Sequence, residues 1–254
     1  MENVKYIIPF FYTYRYNRRG IEGFAYFFEF TLLPFVLLFF LQDNYSFWLV
    51  FVTMVLVTTI YEIGYIHNNV IAIKNEKCPT IRHKEEELEL LRLNMYKIIA
   101  GRIVLSIIFF TLLMTMDLKY SIKLLIALSA MIVIFMIYNT QKSGWKNRVL
   151  FFLLRWFRYY TVLLFSGSMA VLISTIIASV NFINHFAWYK NRTNFGLSRF
   201  FGTKLFDALV YAGCFVFFYQ QQDEELAYLF LYLFVVKSLL FAVAVFLKGI
   251  LKLD

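Results

Sequence analysis

Charge is scarce in this chain. Asp, Glu, Lys and Arg make up 16% of its 254 residues, against about 25% in soluble domains. A soluble enzyme cannot cover its surface from so small a supply, and a disordered chain needs far fewer apolar residues than the 61% found here. Cysteine is nearly absent. Cys78 and Cys214 stand far apart in a loop and an apolar segment, which excludes a disulfide framework and a thiolate metal site. The three histidines, His67, His83 and His185, are too scattered for a metal motif by spacing.

What is abundant is aromatic and aliphatic: 31 Phe and 18 Tyr exceed what a soluble core of this size would bury. The class that remains is a helical integral membrane protein. The net charge of +9 then belongs to loops that set topology and does not imply nucleic acid. No cleavable signal peptide is expected, because Lys5, Arg15, Arg18 and Arg19 precede an apolar stretch long enough to span.

A span needs about 20 mostly apolar residues. Segments 21–41, 46–66, 98–116, 121–138, 149–165, 169–186, 205–219 and 226–246 qualify, the fifth interrupted by Arg155 and Arg158. With the N-terminus inside, the inner segments 1–20, 67–97, 139–148, 187–204 and 247–254 hold four, six, three, four and two basic residues, and the outer connections hold only Lys119 and Lys123. This asymmetry predicts a single all-α polytopic bundle over 1–254, with about eight spans, both termini cytoplasmic, and two pseudo-repeated four-helix halves. Residues 1–20 are expected to form a basic interfacial segment, its rings at headgroup depth and its cations on anionic lipid.

Polar residues concentrate in two inner loops, 67–97 and 187–204, four spans apart. If the second helix runs on to Pro79, then Glu62, Asn69 and Glu76 fall seven apart on one stripe. Such a stripe of oxygens suits a hard cation such as Mg²⁺ and equally describes a solvated helix end. The following stretch, Lys84 to Arg92, reads as an exposed amphipathic helix. In the second loop Lys190, Arg192, Arg199 and Lys204 come with no acid before Asp207, and Lys190, Asn194 and Ser198 recur every fourth residue. That pattern fits a phosphate-bearing ligand, or simply the basic flank of an inner span end.

Together the two loops resemble UbiA-type intramembrane prenyltransferases, which carry N-D-x-x-D-x-x-x-D after the second span and D-x-x-x-D-R-x-x-G after the sixth. The similar positions are Asn68, Asn69, Ala72, Glu76, Pro79 and Arg82 in the first loop, and Asn194, Ser198, Arg199, Gly202 and Lys204 in the second. The resemblance covers the layout of the chain and about a dozen motif positions. In the family the aspartates hold Mg²⁺ ions that grip a prenyl diphosphate. Here Glu76 is the one acid kept, while Asn69, Ala72, Asn194 and Ser198 occupy the other acidic positions.

The resemblance implies a membrane transferase acting on an isoprenoid phosphate or diphosphate at the cytoplasmic leaflet, passing on a prenyl group or joining a lipid phosphate to a phosphorylated acceptor. Asn68, Asn69 and Glu76 would form its reactive end, with Asn69 and Glu76 as Mg²⁺ ligands. Arg82, Lys190, Arg192, Asn194, Ser198, Arg199 and Lys204 would hold the phosphate. Tyr65, one turn before Asn69, would face an allylic cation with its ring. The other open readings are a non-catalytic scaffold or lipid-binding subunit that lost the aspartates, and a small transporter. An AT-rich bacterial genome, and hence an inner membrane, is the expected source.

Ionisable residues at membrane depth are costly. Glu29 and Arg102 lie furthest from the ends of their segments, and Arg155 and Arg158 share a helix face. The two arginines are expected to bind a lipid phosphate, to pair with Glu29 or Glu62, or to snorkel. Gly101, Gly167 and Gly213 read as close helix contacts.

Overall fold

The computed structural model describes residues 4–14, 27–41, 46–71, 85–140, 144–190 and 197–251; at Val4, Glu29, Phe40, Leu41, Gly144, 184–190, 197–204, Ala244 and 246–251 it describes the backbone alone. Every regular element among them is helical. After a 3₁₀ turn at Val4–Tyr6 and a π-helical turn at Phe27–Leu32 come α1 (Leu33–Leu41), α2 (Phe47–Val70), α3 (Glu85–Met116), α4 (Leu118–Thr140), α5 (Gly144–Leu163), α6 (Ser168–Lys190), α7 (Leu197–Gln220) and α8 (Glu224–Leu251).

Five stretches are long and apolar enough to cross a membrane: Phe47–Val70, Glu85–Met116, Leu118–Thr140, Trp145–Ser166 and Glu224–Val243. The fifth expected segment, with its two arginines, is among them. Phe30–Phe39, Ser168–Ile183 and Leu205–Gln220 are apolar but shorter. The chain is thus an all-helical protein consistent with membrane integration.

Local chemistry explains the helices and their breaks. The centre of α2 is rich in β-branched residues (Val52, Thr53, Val55, Val57, Thr58, Thr59, Ile60), which favour strands in water. In lipid the backbone must satisfy its own hydrogen bonds, and a helix does so within one segment. Ser46 caps α2 by accepting from the Leu49 N–H at 3.1 Å. Asp117, alone between α3 and α4, accepts from Tyr120 N–H at 2.8 Å. Asp223 caps α8 through Leu226 N–H at 3.1 Å. Gly167, at φ 62°, makes the turn between α5 and α6 that a side chain would resist.

The chain divides into two compact units, Met1–Arg19 with Tyr45–Ala178, and Gly20–Asn44 with Ser179–Asp254. The boundary falls inside α6, so the units do not follow the expected four-plus-four grouping. In the first unit, α3 is 32 residues long, about 48 Å at 1.5 Å per residue, and exceeds the roughly 30 Å hydrocarbon core. Its N-terminal part carries the expected amphipathic pattern. Glu85, Glu86 and Glu89 are exposed, whereas Leu88, Leu91, Met95 and Ile98 are buried with Tyr6, Tyr12, Ile66 and Val70. Further along, Ile103, Val104, Ile107 and Ile108 are exposed, as are Ile122, Ile126 and Val133 of α4. Outward-facing rows of this kind fit a lipid solvent.

In the second unit α1, α7 and α8 pack together. Tyr211 stacks on Phe230, and Phe230 on Phe218. The Tyr232 hydroxyl donates to the Phe28 carbonyl at 3.1 Å.

Candidate functional site

The N-terminal segment is packed into the first unit. Tyr6, Tyr12 and Thr13 are buried against the rest of the protein. Arg15, Arg18 and Arg19 lie outside the described residues. The cause is an ion pair at membrane depth. Arg102 Nη2 is 2.8 Å from Glu62 Oε2, and both side chains are 0% exposed. The other carboxylate oxygen accepts from Thr13 N–H at 2.6 Å. Arg102 donates from Nε to the Tyr6 carbonyl at 2.8 Å, and more weakly to the carbonyls of Ile8 at 3.3 Å and Thr59 at 3.4 Å.

Two turns along α2, Asn69 donates from Nδ2 to the Tyr12 hydroxyl at 3.0 Å. Glu62 and Asn69, the first two members of the expected cation stripe, thus seat the consecutive residues Tyr12 and Thr13. A neutralised carboxylate is a poor ligand for a further cation. Close by, Gly101 lets Ile7 approach: a Cβ there would stand 2.8 Å from Ile7 Cδ1. Gly213, by contrast, faces open space and is no close helix contact.

Asn68 is half-buried at the end of α2 beside Asn69. Ala72, Glu76, Pro79, Arg82, Arg192 and Asn194 lie outside the described residues. Lys190 is on α6, and Ser198, Arg199, Gly202 and Lys204 are on α7, all with side chains outside the description. Among the described residues no three of His, Cys, Asp and Glu come together. Of the two expected Mg²⁺ ligands only Asn69 is described, and it offers a neutral amide, so such a site needs Glu76.

A second cluster joins α2, α4 and α5. Tyr61 and Tyr65 meet edge-on at 4.9 Å, and Phe135 meets Tyr61 at 5.1 Å. Phe135 fits because Gly64 leaves room; a Cβ there would overlap its ring. Arg158, 1% exposed, sets its guanidinium 4.3 Å from the Tyr61 ring centroid and donates toward the Tyr65 hydroxyl at 3.4 Å. Arg155, half-buried, lies 5.1 Å over Phe151. Neither arginine pairs with Glu62, one of their two expected carboxylates; the other, Glu29, has its side chain outside the description. Tyr65 is a member of this guanidinium–aromatic cluster, an arrangement its sequence position did not reveal.

Phe135 also borders a cavity of about 750 Å³ between α2, α3 and α4. Its wall is apolar, including Ile60, Ile63, Ile103, Phe110 and Ile132, and the ends of α2 and α4 bring His67, Asn139 and Thr140 to it. Asn139 Nδ2 is 3.1 Å from His67 Nδ1. An apolar chamber with a polar end fits an amphiphile. In the second unit, Lys237 Nζ meets Asp207 Oδ2 at 2.6 Å, both side chains 2% exposed. That buried pair accounts for the lysine inside the last span.

No family model, curated protein or solved structure matches the chain.

Proposed function

We propose that the chain is a UbiA-like integral membrane transferase acting on an isoprenoid phosphate or diphosphate at the cytoplasmic leaflet of a bacterial inner membrane. It passes on a prenyl group or joins the lipid phosphate to a phosphorylated small acceptor. The observation that carries this reading is the cavity between α2, α3 and α4. It is apolar along its length, is of ligand size, and has His67 and Asn139 at the end where α2 delivers Asn68 and Asn69. An isoprenoid tail suits the chamber, and its head would leave at the polar end.

The reading takes all eight apolar segments as spans with both termini inside; among the described residues an α-helix falls in each of them, and five are long and apolar enough to cross a membrane. In this reading loops 67–97 and 187–204 are both cytoplasmic; Lys190, Arg199 and Lys204 are the residues for phosphate charge, and Asn68, Asn69 and Glu76 those for metal or phosphate contact. Glu76 with Asn69 would hold Mg²⁺, which would supply positive charge against the leaving phosphate. The second reading, a scaffold that keeps the fold without chemistry, is favoured by Asn69, Ala72, Asn194 and Ser198 at the family's acidic positions.

Substitution separates the readings. A transferase loses turnover of a prenyl phosphate with Glu76→Ala or Lys204→Ala while still expressing as a folded protein. A scaffold tolerates both, and a transporter fails instead with changes at Glu29, Arg102 or Arg155.

A further inference from the structure

We infer that the cavity between α2, α3 and α4 binds an uncharged long-chain alcohol, whose hydroxyl donates to the side-chain oxygen of Asn139. The inference goes beyond the transferase reading: it concerns the same cavity but needs no reaction and neither polar loop.

The shape suits a single chain. The lining runs from Leu56 to His67 on α2, from Ile99 to Phe110 on α3 and from Leu125 to Thr140 on α4. At 1.5 Å per residue these stretches are about 16, 16 and 22 Å long. Ile103 and Ile107 of α3 and Ile132 and Met136 of α4 line the cavity and are also exposed. It therefore opens along the outward rows that fit lipid, and a ligand can enter from the bilayer.

Charge rules on the head. No Asp, Glu, Lys or Arg lines the cavity. A phosphate, carboxylate or ammonium held among apolar side chains without a counter-ion is costly, so the head that this lining itself holds is neutral.

Hydrogen bonding then selects a donor. Asn139 is 8% exposed. Its Nδ2 donates to His67 Nδ1 at 3.1 Å, a bond that a neutral imidazole accepts and an imidazolium does not. Asn139 Oδ1 is buried and has no hydrogen-bond partner. Proteins rarely keep a buried acceptor unmade. The nearby hydroxyls do not serve it: Ser106 and Thr140 donate at 2.8 Å to the carbonyls of Arg102 and Ile137 on their own helices. An alcohol supplies the missing O–H, whereas an ether has no hydrogen to give.

The test is photolabelling of the full chain in detergent by a diazirine-bearing hexadecanol, with the labelled residues read by peptide mass spectrometry. The competitors are farnesol, farnesyl methyl ether and farnesyl phosphate. Label is expected on the cavity residues of α2, α3 and α4. Farnesol is expected to displace it about tenfold better than the ether, which lacks the one donor. In Asn139→Leu the two should compete alike.

Equal competition by farnesol and its ether on the unaltered chain overturns the inference without needing any variant to fold, because the chamber then takes any apolar chain, as bulk lipid or a water on Asn139 would also give. Label that farnesol does not displace overturns it as well. Stronger competition by farnesyl phosphate than by farnesol overturns it and favours the phosphate head of the transferase reading. Weaker competition by farnesyl phosphate supports it, and the transferase reading then stands or falls on turnover in Glu76→Ala.

Discussion

Glu62→Gln is the sharpest perturbation of the buried network. It removes the carboxylate charge and keeps an oxygen for the Thr13 N–H, which now sits 2.6 Å from Glu62 Oε1. Arg102 remains 0% exposed with carbonyl acceptors at Tyr6, Ile8 and Thr59 but without its counter-charge. Removing one partner of a buried pair costs roughly 3–5 kcal/mol. The carbonyls that stay bonded place this case at the low end, about 3 kcal/mol.

Arg102→Met strands the carboxylate and should cost a similar amount. The double variant Glu62→Gln/Arg102→Met should recover about 2 kcal/mol of the summed loss, because neither charge is then left alone. The assay is unfolding by dodecyl sulfate titration in mixed micelles, with tryptic cleavage at Lys5 reporting release of the N-terminal segment. The reasoning is refuted if Glu62→Gln stays within about 0.5 kcal/mol of the parent and Lys5 is cut no faster.

The remaining predictions concern single contacts. Asp207→Asn should destabilise by about 3 kcal/mol in the same titration, whereas Asp207→Leu/Lys237→Met should be close to neutral, since it removes both charges of a buried pair. Gly64→Ala forces Phe135 from its seat and should cost about 1–3 kcal/mol, with altered near-ultraviolet dichroism from the tyrosine cluster as the readout. Tyr12→Phe removes the acceptor of the Asn69 amide and should cost about 1 kcal/mol, read as faster cleavage at Lys5.

Hydropathy made the helices legible, because a run of some 20 apolar residues has few alternatives to a helix in lipid. It also located the charges at depth. What it could not show was which of them meet. Glu62 and Arg102 are 40 residues apart on antiparallel neighbours, and Arg155 and Arg158 were as plausible a partner for Glu62 as Arg102 was. The partners of the N-terminal segment were hidden for a related reason. Alternating rings and cations are what an interfacial segment needs, yet Tyr12 and Thr13 are held by side chains 57 and 49 residues away. Gly64 gave no local signal, since its role depends on Phe135 arriving from α4.

The most direct test of the transferase account is native mass spectrometry of the purified chain with farnesyl diphosphate and farnesyl phosphate, with and without Mg²⁺. The account predicts binding of at least one of them, with diphosphate binding strengthened by Mg²⁺ and that gain lost in Glu76→Ala. Binding of neither ligand under any of these conditions would contradict it.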